Sequence, residues 1–177
     1  MKFALQLKID VADGYLDATN LSNDADAYKE ALANPSDVDG MIAVEIDGQT
    51  FGDNYSDPLL RLAADWVRKV PWILAGDTET IALRNSGQCF AFVPTGESVE
   101  LSFFEGTEME IEEYILEPTT VRLQHFIEES LELGDQLIAL WANADGAASA
   151  DEDYRDLSTL LDEAKTAWHD FQLHQRR

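Results

Sequence analysis

The chain has 177 residues, 12 basic against 35 acidic, for a formal net charge of −23 at pH 7. A length near one domain's worth, with 45% hydrophobic and 10% aromatic residues, excludes global disorder and points to one α+β domain spanning 1–177. The charge excludes nucleic acid and anionic membrane surfaces as partners, because both repel it, and favours a basic protein partner. The same charge also fits a plainer reading, an acidic surface serving only solubility or adaptation to high salt.

Lys2 to Val11 alternates, with Phe3, Leu5, Leu7 and Ile9 on one side, which predicts a half-buried strand. Ala12 to Asn23 is polar, and Asp24 to Ala33 reads as a short helix stopped by Asn34-Pro35. Met41 to Phe51 predicts a hairpin, since Asp47-Gly48 suits the two positive-φ positions of a type I′ turn. Asp57-Pro58 then opens a helix with the stripe Leu59, Leu62, Ala63, Trp66, Val67 and Val70, ended by Pro71.

Thr78 to Glu117 predicts a meander of three or four strands, with turns at Ser86-Gly87, Thr95-Gly96 and Gly106. Phe90 and Phe92 share one face, as do Val99, Leu101 and Phe103, while Glu112-Glu113 interrupts the alternation and implies a bulge. A long helix follows from Pro118-Thr119-Thr120, with Leu123, Phe126, Ile127, Leu131, Leu137, Ile138 and Trp141 as its stripe. A final helix, roughly Asp151 to Leu173, repeats Tyr154, Leu157, Leu160, Leu161, Ala164, Trp168 and Phe171. The two C-terminal helices should form an antiparallel pair covering the apolar face of the sheet, a two-layer α+β fold.

No Lys or Arg lies between Arg84 and Arg122, whereas Glu117 and the seven residues Glu97, Glu100, Glu105, Glu108, Glu110, Glu112 and Glu113 all do. These seven are the candidate partner-binding residues: an acidic sheet face opposite the apolar one, steering a basic protein electrostatically. That expectation requires the carboxylates to be concentrated rather than spread evenly. Bacterial inhibitors and immunity-like proteins that neutralise basic toxins or nucleases share this composition, an analogy that stops at composition.

Other constellations have ordinary readings. Counted as a calcium loop from Trp141, Asn143, Asp145 and Glu152 fall at oxygen-ligand positions, but Trp141 cannot serve as the first, so a capped acidic turn is expected. Asp10, Asp13, Asp17, Asp24 and Asp26 match no metal loop, and His125 with Glu128 and Glu129 reads as surface pairing. Cys89 stands alone, so no disulfide and no cysteine-based zinc site are available, and a mid-strand hydrophobe is the expected role. No nucleophile elbow or phosphate loop occurs; no catalytic residue and no cofactor are indicated. Trp66, Trp72, Trp141 and Trp168 are expected in the core, the alternative being a ligand cleft between helices and sheet, in a small-molecule enzyme or binder. Lys8, Asp10 and Asp13 break the N-terminal apolar run, so no secretory signal is expected and a cytoplasmic location is. Nothing in the pattern fixes an oligomeric state.

Overall fold

The computed structural model describes residues 1–11, 14–17, 28–144 and 146–175. It shows an α+β fold with two antiparallel sheets rather than one. The first contains β1 (Phe3–Val11), β2 (Gly14–Asp17), β3 (Asp39–Ile46) and β4 (Gln49–Phe51) in the order β2-β1-β3-β4, with the short β5 (Asp57–Pro58) also on β3. The second is the meander β6 (Glu79–Ala82), β7 (Gln88–Thr95), β8 (Ser98–Thr107) and β9 (Glu110–Arg122). The helices are α1 (Leu59–Ala75), α2 (Leu123–Ala144) and α3 (Glu152–Gln175).

The strand alternations are as expected. Leu5 lies opposite Val44 and Leu7 opposite Ile42, and Asp47-Gly48 makes the β3–β4 turn with φ of 49° and 85°. Phe90 faces Phe103 and Phe92 faces Leu101, all fully buried, around Trp66 of α1 and Phe126 of α2. Trp66 donates its indole N–H to Ser130 Oγ at 2.9 Å, and that hydroxyl donates to the Phe126 carbonyl at 2.7 Å.

Several boundaries differ from the expectation, each for a local reason. Gly14–Asp17, within the segment read as polar loop, pairs back on β1 as β2. Of the helix expected over Asp24–Ala33, residues 24–27 lie outside the described residues and 28–33 form turns. Pro71 does not end α1: the helix runs on to Ala75 and closes at Gly76, where Asp77 N–H reaches the Trp72 carbonyl. Pro118 does not start α2, because β9 remains paired with β8 through Arg122, with Pro118 on a sheet edge that tolerates it. Asp57 does not cap α1; its fully buried carboxylate accepts the backbone N–H of Arg84 and Asn85 at 2.7 and 2.8 Å and pairs with the Arg84 guanidinium, tying the first sheet to the second.

The C-terminal helices are antiparallel, with Lys165 of α3 on Asp135 of α2. α1 and α2 pack on the sheets, and α3 packs chiefly on α1 and α2. Gly134 lies at this contact: a Cβ there would stand 2.8 Å from Leu161 of α3 and 3.4 Å from Val67 of α1.

Candidate functional site

Past the start of β7, strands β8 and β9 continue as a two-stranded ribbon. The last link to the neighbouring strand's loop is Gly106 N–H to the Gly87 carbonyl at 2.9 Å, and Glu108-Met109 forms the tip. Thr107 Oγ1 accepts the N–H groups of Met109 and Glu110, and Gly106 at φ 131° lets the chain pass the Glu110 carbonyl, which a Cβ would approach to 2.2 Å. The bulge implied by Glu112-Glu113 is there: Glu105 pairs with Glu113 and Gly106 with Ile111, leaving Glu112 extra.

The seven glutamates fall into two sets. Glu105, Glu108, Glu110, Glu112 and Glu113 gather on this ribbon, all but the half-buried Glu105 exposed. Glu97 stands at the opposite end of β8, in the β7–β8 turn, and Glu100 lies on the outer sheet face between Val93 and Thr120. Thr80, Ala82, Ala91 and Ser102 occupy other paired positions of that face, Arg122 stands opposite Ser98, and Glu117 is exposed on β9. The acidic feature is therefore the end of a hairpin.

Among the described residues no glutamate of the ribbon has a cationic partner; only the Gln88 amide reaches Glu105, at 3.4 Å. Glu105 and Glu113 are direct cross-strand neighbours, an arrangement that costs stability. Within this acidic ribbon Met109 is 95% exposed, with Ile111 and Tyr114 also open to solvent. Burial, and secondarily the charge of Glu108, push the Cys89 thiol above its ordinary range.

The remaining candidates resolve as follows. Asn143 and Glu152 are exposed at the facing ends of α2 and α3, and Asp145 lies outside the described residues. The residue that organises this junction is Asp151, which accepts from Tyr154 N–H and from both the hydroxyl and N–H of Ser36. Although burial alone would raise it, these hydrogen bonds hold Asp151 below the usual carboxylate range. Asp13, Asp24 and Asp26 lie outside the described residues, while Asp10 and Asp17 are exposed on β1 and β2. His125 pairs with Glu129, whose other oxygen accepts the Leu5 N–H at the open edge of β1. Among the described residues no group of three or more His, Cys, Asp or Glu is placed to hold a metal. No helix among them is long and apolar enough to cross a membrane. Trp66 and Trp141 are buried, Trp168 is half-buried, and Trp72, expected in the core, is 55% exposed just after Pro71.

Sequence reasoning marked the glutamates but not Met109, which a period-two pattern assigns to a strand rather than to a turn. It also passed over Asp57, whose Asp-Pro context signals a helix start more strongly than a buried ion pair. Comparison with protein-family models, curated proteins and solved structures gives no match.

Proposed function

We propose that the chain is a non-enzymatic binding protein that docks a basic protein partner through the β8–β9 ribbon. The observation that carries this is Met109, 95% exposed among glutamates with no cationic partner. Some carboxylates elsewhere are engaged: Glu128 and Glu132 take glutamine amides, and Asp135 takes Lys165. A partner's lysines or arginines would relieve the ribbon's mutual repulsion, and Met109 with Ile111 would supply the apolar anchor that charge alone lacks. Rim charges of this kind act mainly on the association rate and make it salt-sensitive. Titrating the protein with a lysine-and-leucine peptide, followed by backbone amide resonances, should move Thr107 to Tyr114 first and reverse with added salt. Shifts spread evenly over α2 and α3 would contradict the proposal.

A further inference from the structure

At the end of β8 away from the ribbon, a cleft of about 710 Å³ opens between the β7–β8 turn, the β9–α2 junction and the last turns of α3. It brings a cation, a carboxylate and two aromatic rings together. Lys2, Lys8, Arg61, Arg68, Lys69, Arg84 and Lys165 each sit in an ion pair with a carboxylate. Arg122 lines the cleft and has no such partner among the described residues, although Glu97 lines the same cleft. Lys29 and Arg155 are likewise without an ion pair among the described residues, so what sets Arg122 apart is the aromatic lining of the cleft it shares. Facing it, Trp168 and Phe171 lie nearly parallel, ring centroids 5.7 Å apart and planes 21° off, both half-buried. Stacked on one another, they give one side of the cleft an aromatic lining. Gln172 and Gln175 add amides to the rim.

We propose that this cleft binds a small aromatic zwitterion, a ring carrying both a carboxylate and an ammonium group. The guanidinium of Arg122 offers a planar fork that matches a carboxylate. Glu97 takes the ammonium, and its charge together with the net −23 excludes dianions such as phosphate esters. The ring packs against the aromatic pair Trp168 and Phe171. This assignment is independent of the ribbon's role, since the two sites occupy opposite ends of β8.

The probe is L-phenylalanine, followed through the Trp168 indole N–H resonance, which a Trp168→Phe variant identifies. Saturable movement of that resonance at millimolar ligand is expected. The two half-ligands, 3-phenylpropionate and 2-phenylethylamine, should each bind about tenfold more weakly, the loss of roughly one charge-assisted contact. Arg122→Gln should weaken phenylalanine by a similar factor while leaving thermal unfolding unchanged, because the side chain holds nothing else in place. Glu97→Gln should weaken phenylalanine yet strengthen 3-phenylpropionate. That inversion is the signature of opposed charges reading the two ends of one ligand. No movement of the Trp168 resonance, equal binding of phenylalanine and 3-phenylpropionate, or indifference to Arg122→Gln would each overturn the assignment.

Discussion

Ser130 is the polar residue on which the centre of the core depends. Its hydroxyl is the acceptor for Trp66, so Ser130→Ala strands a fully buried indole N–H. A loss of about 1–3 kcal/mol is expected by denaturant unfolding, and Trp66→Phe should recover part of it by removing the orphaned donor. Asp151 carries the second prediction. As the cap of α3 it should cost about 1–2 kcal/mol on replacement by Ala. Because its folded pKa lies below the ordinary 3.8, its contribution is complete above that value and is lost as pH falls through the folded pKa. Asp151→Asn should therefore flatten the acid limb of a stability–pH curve without changing its neutral shape. Asp39 has the opposite sign. Desolvation first, then the charges of Asp10 and Asp57, raise its pKa, so its ionised form opposes folding above the ordinary range. Asp39→Asn should raise the melting temperature at neutral pH and do little at acid pH. The roles of Ser130 and Asp39 are not legible in the sequence, because they depend on partners tens of residues away, whereas the expected capped turn is made by Asp151 and only its bond to Ser36 lies beyond the sequence.

At the scale of elements the sequence carries more. The alternation in β1, β3, β7 and β8 fixes which residues face the core, and Asp47-Gly48 fixes a register. Errors fall where tertiary pairing overrides a local signal. Pro71 breaks a helix only if nothing holds the next turn, and here Ile73 is buried beyond it. Pro118 looks like a helix start but is an edge-strand residue, because the ladder with β8 continues to Ser98–Arg122. Likewise, the stripe of α3 gives its apolar face but cannot say that the face meets helices rather than strands. Gly134 was silent in the sequence and is the contact that settles this. Gly134→Ala should be nearly neutral, since about 1 kcal/mol of helix propensity offsets the crowding of a flexible leucine, whereas Gly134→Leu should cost about 1–3 kcal/mol by overpacking. Unfolding midpoints of the two variants separate the effects.

Over the whole molecule the charge of −23 is the dominant fact, and raising ionic strength should stabilise the fold by screening its self-repulsion. The outward faces of α2 and α3 carry exposed carboxylates too, among them Asp156, Glu163 and Asp170, so acidity by itself does not mark a site. What distinguishes the ribbon is Met109, 95% exposed among its glutamates, with Ile111 and Tyr114 beside it. The most direct measurement compares two variants of equal net charge for affinity to the lysine-and-leucine peptide. One carries Glu108→Gln, Glu110→Gln and Glu112→Gln; the other carries Asp156→Asn, Glu163→Gln and Asp170→Asn. A docking ribbon predicts that the first set weakens binding at least about tenfold while the second leaves it almost unchanged. Equal losses from both sets would mean that the peptide senses only net charge, and would contradict the account.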